Sequence, residues 1–368
     1  ILDEKGEAIA EIQYILDMQK VRDHLNSFLY TMLGISCSII CIALLLYMML
    51  VKWMVLNPVK KLSMFTTEII QSGDFKKQEI VISTKDEIED LGNSFNVMLK
   101  KLETYIENLT AVTAEKERIG TELNVATHIQ SSMLPCIFPA FPDRNELDIY
   151  ATMTPAKEVG GDFYDFFMVD QRHIAIVMAD VSGKGVPAAL FMVIGKTLIK
   201  DHTKPGRDLG EVFTEVNNIL CESNDNGMFI TAFEGVLDLV TGEFRYVNAG
   251  HEKPFIYRKG KGYEAYKIRP GFVLAGMENI RYKEQMIQLD IGDKVFQYTD
   301  GVTEAMNKDN QLYGMDRLHH ILNQQCQTCS PEKTLELVKA DIDAFAGDNN
   351  QFDDITMLCL EYTKKMEG

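Results

Sequence analysis

Residues 28–51 contain no charged side chain, and this run constrains the chain more than any other feature. As a helix rising ~1.5 Å per residue it would span about 36 Å, more than the ~30 Å hydrocarbon core of a bilayer. A helix apolar all round is either buried in a core or spans a membrane, and this run is too long and too uniformly apolar for a core helix. It is therefore expected to cross a membrane with some tilt. Tyr30, Tyr47 and Trp53 stand near its ends, where aromatic side chains favour the interface. Lys52, Lys60 and Lys61 follow the run, while Lys20 and Arg22 precede it. That narrow excess favours a cytoplasmic C-terminal side.

With 368 residues the chain has room for two or three domains. Its net charge of -17 argues against a nucleic-acid partner, because phosphate backbones need a basic surface. The seven cysteines show no framework spacing, which suits a reducing compartment for most of the chain. Cys326 and Cys329 form an isolated CxxC without the further ligands of a zinc site, so they read as ordinary thiols. The chain begins at Ile1 rather than methionine, and is expected to be a fragment or a processed form. Residues 1–7 read as strand, turn, strand. They resemble the last hairpin of a Cache-type extracytoplasmic sensor; an unstructured outer tail is the alternative.

After the apolar run, Pro58 opens a helical stretch carrying Leu62, Phe65 and Ile69, and Ser72-Gly73-Asp74 closes it. Ile80 and Ile82 lie in an extended connector. A second helix starts at Asp86-Glu87, where acidic residues favour the N-terminal dipole. Ile88, Leu91, Phe95, Met98, Leu102, Tyr105, Leu109 and Val112 alternate spacings of three and four, the heptad period of a coiled coil. Lys116 interrupts the seam; Ile119, Leu123 and Ala126 resume it. Such a seam needs a partner helix, and a homodimer is the economical answer. The helix-connector-helix pattern resembles a HAMP domain, a parallel four-helix dimer that relays membrane signals.

From about residue 146 the pattern changes to short β-rich runs: 147–153, 163–169, 173–179, 228–238, 243–248, 254–258, 284–289, 294–299 and 355–362. Helical stretches at about 186–202 and 208–222 interrupt them. Thr241-Gly242 and Ile291-Gly292-Asp293 read as turns closing strand pairs. This implies an α+β fold, a two-sheet β-sandwich with flanking helices. Asp162, Asp180, Asp300 and Asp353-Asp354 each open or end a strand. One such aspartate is usually a turn residue. Several in one setting suggest carboxylates gathered around hard divalent cations, since they would otherwise repel one another.

Gly-Gly-Asp-Phe-Tyr-Asp (160–165), Ala-Asp-Val-Ser-Gly-Lys-Gly (179–185), Tyr-Val-Asn-Ala-Gly-His (246–251), Tyr-Thr-Asp-Gly-Val-Thr-Glu (298–304) and Asp-Asp-Ile-Thr-Met-Leu (353–358) resemble the SpoIIE/RsbU group of PPM-type serine/threonine phosphatases. The resemblance covers about 120–364. It implies two Mn2+ or Mg2+ ions per catalytic domain, with Asp180 bridging them and the carbonyl of Val181 also ligating. Asp300 and Asp353 would hold one ion, and Asp162 would sit near the other. Asp354 stands where the wider superfamily often has asparagine, and ranks below Asp353. The implied reaction is attack on a phosphoserine or phosphothreonine by water activated between the ions. The implied substrate is a phosphorylated STAS-type anti-anti-sigma protein, and the implied location is the bacterial plasma membrane with the phosphatase domain cytoplasmic.

Two departures stand out. Ser182 occupies the place where the eukaryotic branch has a histidine, and no early arginine is placed to clamp phosphate. Lys184 could assist or could simply be a solvated turn residue; His251 reads as structural. Residues 126–135 resemble the linker helix that precedes the catalytic core in this group, with Ala126, Ile129 and Met133 as its apolar face. Rotation of this helix is expected to shift the 186–222 helices and control metal occupancy. The expected order is therefore the end of a sensor region over 1–27, a membrane helix over 28–51, HAMP over 52–103, coiled coil and linker helix over 104–135, and phosphatase over 136–368.

Rival readings are a dimeric receptor with an inactive phosphatase fold, and a diguanylate cyclase suggested by Gly160-Gly161-Asp162-Phe163. The cyclase reading leaves Asp180-Val181-Ser182-Gly183 and Asp353-Asp354-Ile355-Thr356 without a place. A sensor kinase lacks its glycine-rich lid and phospho-accepting histidine.

Overall fold

A computed structural model describes residues 8–73, 79–222, 224–269, 271–349 and 351–366, with side chains from Lys20 onward. The expected hairpin over residues 1–7, and Asp74 of the helix-closing triplet, lie outside the described residues. The chain divides into two compact units, Ile1–Glu117 and Arg118–Gly368.

In the first unit α1 (Ala8–Val51) starts well before the apolar run. Residues 8–27 contain neither proline nor glycine, so nothing stops the helix from continuing into its polar flank. The helix is long and apolar enough to cross a bilayer, with a mean hydropathy of 2.5 in its most apolar window. A π-helical turn (Lys52–Leu56) leads into α2 (Asn57–Ser72), where Pro58 sits in the first turn and needs no hydrogen-bond partner. Gly73 ends α2 in the left-handed region, its N–H donating to Ile69 O at 2.9 Å.

The connector is anchored by one amide. Asn96 accepts from the N–H of Ile80 at 3.0 Å and donates to its carbonyl at 2.9 Å, copying a strand pairing. Ile80 and Ile82 are buried with Ile69 and Leu99, and Phe65 meets Phe95 edge-on. Asp86 caps α3 (Glu87–Met133) by accepting from Ile88 N at 3.0 Å. α3 runs unbroken through Lys116, because that residue interrupts the apolar seam but not helix propensity. Along the seam Leu91, Met98, Leu102, Tyr105, Leu109 and Val112 are exposed in the single chain.

The second unit contains two five-stranded sheets, all of whose pairings are antiparallel. The first has the order β1-β10-β9-β6-β7: β1 (Leu147–Thr154), β10 (Ile355–Tyr362), β9 (Lys294–Tyr298), β6 (Phe255–Arg258) and β7 (Gly262–Ala265). The second is β2-β3-β4-β5-β8: β2 (Phe163–Met168), β3 (His173–Val181), β4 (Ile230–Asp238), β5 (Glu243–Ala249) and β8 (Gln285–Gln288). α4 (Val186–His202) and α5 (Leu209–Glu222) cover the second sheet; α7 (Gly314–Gln325) and α8 (Pro331–Ala346) cover the first. A single helical turn, α6 (Asp300–Thr303), follows β9.

β10 is buried on both faces, and this is why it reads as an almost continuous apolar run. Leu358, Leu360 and Tyr362 point into the core between the sheets, while Ile355, Met357 and Cys359 pack under the helices of the first sheet. The expected strands are all present, and Thr241-Gly242 closes the β4–β5 hairpin. The turn Ile291-Gly292-Asp293 does not close a hairpin. β8 ends in the second sheet and β9 begins in the first, so this turn crosses the sandwich, and Gly292 N donates to Tyr362 O at 2.7 Å. The sequence reading missed β7, α7 and α8. Cys326 is buried, with its thiol pushed up to about 12 by that burial, consistent with an ordinary structural thiol.

Glu234 on β4 is completely buried and accepts one hydrogen bond, from Thr203 Oγ1 at 2.7 Å. Burial raises its carboxyl from 4.5 to about 8. A raised folded-state value means that the stability is present below pH 4.5 and lost as pH climbs through 8. Glu234→Gln is expected to melt higher than the parent at pH 8.5, with the gap closing toward pH 5; thermal melts across that range check it.

Candidate active site

Strand register brings the aspartates together. β2 and β3 pair with Phe163 opposite Ala179, which carries Asp162 opposite Asp180 at the strand ends. β9 and β10 pair with Tyr298 opposite Met357, so Asp300 and the pair Asp353-Asp354 leave the same end of the first sheet. Hydrogen bonds then join the two sheets at this edge. The hydroxyls of Thr299 and Thr356 donate to Asp162 Oδ2 at 2.7 and 2.6 Å. In the reverse direction, Asp354 reaches into the loop before β2. Its Oδ2 accepts from the N–H of Gly161 at 2.8 Å and of Asp162 at 3.4 Å, and its Oδ1 from Ala156 N at 2.8 Å.

These approaches dictate the glycines of the motifs. A Cβ on Gly161 would stand 2.8 Å from the carbonyl oxygen of Val181, and one on Gly301 would stand 2.0 Å from that of Asp354. No side chain fits either gap.

The carboxyls crowd one another. Burial, then the charges of Asp180 and Asp354, push Asp162 well above the usual carboxylate range, against the pull of its two threonine hydroxyls. Asp180 is raised to about 7, by burial first and then by Asp300, Asp353 and Asp354; a hydrogen bond with Asp162 pulls part-way back. Asp300 is raised to about 6, by burial, Glu304, Asp353 and Glu252. A donor set made of carboxylate oxygens that repel one another fits hard divalent cations. Among the described residues, no three acidic, histidine or cysteine side chains close on one point as a metal cage. Asp162 is turned to its threonines, and Asp353 Oδ2 is held by Lys184 Nζ at 2.9 Å. Lys184 is thus not a solvated turn residue.

The neighbours behave as structural groups. Ser182 exchanges hydrogen bonds with Phe229, its N–H donating at 2.9 Å and its Oγ accepting at 2.9 Å. Val181 is buried at the end of β3. His251 Nδ1 meets Thr231 Oγ1 at 2.9 Å, and Thr231 stands opposite Asp180. Burial lowers the imidazole to about 3, so it is neutral near pH 7 and shapes the sheet behind the site.

Within the second unit the last turns of α3 lie on this same loop. Gln130 is buried and makes two bonds to Gly160: Nε2 donates to its carbonyl at 2.6 Å, and Oε1 accepts from its N–H at 3.1 Å. Thr127 donates to Glu158 O at 2.6 Å. The packed residues are therefore Thr127 and Gln130, with Leu134 just past the helix end; of the expected apolar face Ala126 is half-buried, while Ile129 and Met133 are exposed. Periodicity favoured apolar residues, and the loop's free backbone groups required an amide instead.

The comparisons with known proteins agree with this architecture. The family model for stage II sporulation protein E (SpoIIE) matches residues 170–363, more than half of the chain. The chain belongs to the SpoIIE phosphatase family. A HAMP domain model matches residues 50–104. The chain is 30% identical to the phosphoserine phosphatase RsbU of Bacillus subtilis, over 75% of this chain and 80% of that protein. It is 31% identical to protein IcfG of Synechocystis, over 84% of this chain and 52% of that protein, so it spans about half the length of that relative. The SiaA-PP2C domain of Pseudomonas aeruginosa shares the fold, with a TM-score of 0.59 at 20% identity, covering 68% of this chain and 99% of that one. The cyclase reading falls with these matches. Asp162 lies ahead of the residues matched by the SpoIIE model, so its place rests on the register and on its bonds to Thr299 and Thr356.

The sequence reading ranked Asp354 below Asp353, and passed over Thr299, Thr356 and Gln130 as site-building residues. For Asp354 and the two threonines the signal was available, since each flanks a singled-out aspartate inside a motif. Asp354→Ala strands the N–H groups of Ala156, Gly161 and Asp162, at about 1–3 kcal/mol per buried donor, and is expected to lower the melting temperature strongly. Asp180→Asn in chelator at pH 8 is expected to raise it. The charged form of Asp180 is disfavoured as pH passes from 3.8 through about 7, and the amide removes that repulsion. Melts of both variants beside the parent read the opposite signs.

Proposed function

We propose that this chain is a membrane-anchored protein phosphatase that hydrolyses phosphoserine or phosphothreonine on a partner protein. The observation that carries the reading is the gathering of Asp162, Asp180, Asp300 and Asp353 at one edge of a SpoIIE-family sandwich. Asp180, Asp300, Asp353 and the carbonyl of Val181 would hold Mn2+ or Mg2+, with Asp162 close by. Two such ions would lower the pKa of a water and offset charge on the phosphoryl oxygens. The chain's own residues set the stage for this. Asp354 and the two threonines fix the edge, and Gly161 lets the loop approach Val181 closely. Ser182 is committed to Phe229, so no side chain here takes the proton-donor place of a histidine.

The substrate we favour is a phosphorylated STAS-type protein, in line with RsbU being a named phosphoserine phosphatase. The uncovered heptad seam of α3 and the HAMP match support a parallel homodimer. The lysine excess after residue 51 supports a cytoplasmic catalytic unit. The linker bonds run to Glu158 and Gly160 rather than to the 186–222 helices, so the signal would act on the loop that carries Asp162.

The test is Mn2+-dependent phosphate release from a phosphorylated STAS protein by the full chain. Asp180→Asn and Asp300→Asn are each expected to lose on the order of 100-fold, the upper end of what disturbing a metal shell costs. Equal rates in all three sink the reading, and a parent that releases no phosphate favours the inactive receptor. Gln130→Ala is expected to shift the Mn2+ concentration for half-maximal activity upward, because it frees the backbone of Gly160 two residues before Asp162. A Mn2+ titration of activity measures that shift.

A further inference from the structure

Lys184 lies in the loop between β3 and α4, flanked by Gly183 and Gly185 at φ of 89° and 82°. Its ammonium meets three groups on the other sheet's segment. It donates to Asp353 Oδ2 at 2.9 Å and to the carbonyl of Phe352 at 2.5 Å, and stands 4.1 Å from the Phe352 ring centroid. These contacts use a charge, a dipole and a π face, and together hold one cation at the edge where the carboxylates gather. The side chain remains 30% exposed, so it has a route out.

We propose that Lys184 is a built-in counter-ion that competes with the divalent cation for Asp353. This rests on the metal-dependent reading of the site. A carboxylate oxygen held by an ammonium cannot also ligate an ion at full strength, and two cations on one carboxylate repel. Ion binding is then an exchange. The bond from Lys184 to Asp353 is given up, the ion takes the carboxylate, and the ammonium moves toward solvent on a loop whose flanking glycines allow the change. The contact with Phe352 goes with it, so residues 352–353 are released from the β3–α4 loop as the ion enters. The lysine thus sets ion affinity below what the carboxylates alone would give, and keeps the edge compensated when no ion is bound.

The experiment uses the full chain in detergent micelles, with Mn2+ as the probe and calorimetry as the readout. Lys184→Met and Lys184→Gln are expected to bind Mn2+ about fivefold more tightly than the parent, the upper scale of an ion pair that water partly screens. Lys184→Arg, which keeps the charge, stays near the parent. In chelator the Met and Gln variants melt lower than the parent, and on adding Mn2+ their melting temperature rises further than the parent's does. Circular dichroism in chelator establishes that the variants are folded. Affinity equal to or weaker than the parent's in both neutral variants overturns the inference while leaving the phosphatase reading intact. No Mn2+ binding by parent or variants overturns both.

Discussion

The bonds from Asp354 to the loop before β2 are the constraint on which the rest of the site depends. Asp354 belongs to the first sheet's edge, and the amides it receives belong to the approach to the second. A carboxylate that accepts several backbone N–H groups in a buried place makes charge-assisted bonds, which are among the strongest polar contacts a fold has. With this latch closed, Asp162 is set opposite Asp180 and within reach of the Thr299 and Thr356 hydroxyls. Without it, the two strand ends would be held by the threonine bonds to Asp162 and by the contacts of Lys184 alone, against the mutual repulsion of the other carboxylates.

The latch also explains the division of labour in Asp353-Asp354. Successive residues entering a strand point to opposite sides. Asp354 faces inward to the loop amides, and Asp353 faces the Lys184 side, where it is partly exposed. The inward residue binds the loop amides, and the outward residue meets the ammonium of Lys184. A motif of two adjacent aspartates is thus two different devices at consecutive positions.

Much of the fold was legible because the strands that frame the site carry their burial in their composition. β3 and β10 are buried on both faces and read as apolar runs, and the turn glycines between them punctuate the sequence. The apolar run of α1 and the three-and-four spacing along α3 stand out in the sequence as an absence of charge and as a period. α7 and α8 escaped because their apolar positions are spaced within polar surroundings and resemble solvated helices or loops until the sheet they cover is known. Gln130 escaped for a deeper reason. Periodicity assigns faces by hydrophobicity, and here the packed position is polar because its partner is a loop with free backbone groups. No pattern within the helix announces that. Of the aspartates, the sequence could mark which ones end strands, but only the register shows which one latches and which ones face each other.

The energetic consequence joins stability to function. The half-buried carboxyls of Asp180 and Asp300, raised to about 7 and about 6 by burial first and then by neighbouring carboxylates, disfavour their charged forms in the folded chain. A divalent cation that relieved this cost in the folded chain, and found no such site in the unfolded one, would stabilise the domain by binding. Gln130 touches the loop at Gly160 from the end of the same helix whose earlier turns carry the exposed heptad seam. Within the second unit, the last turns of α3 thus meet the loop that leads to Asp162 through two hydrogen bonds to a single residue.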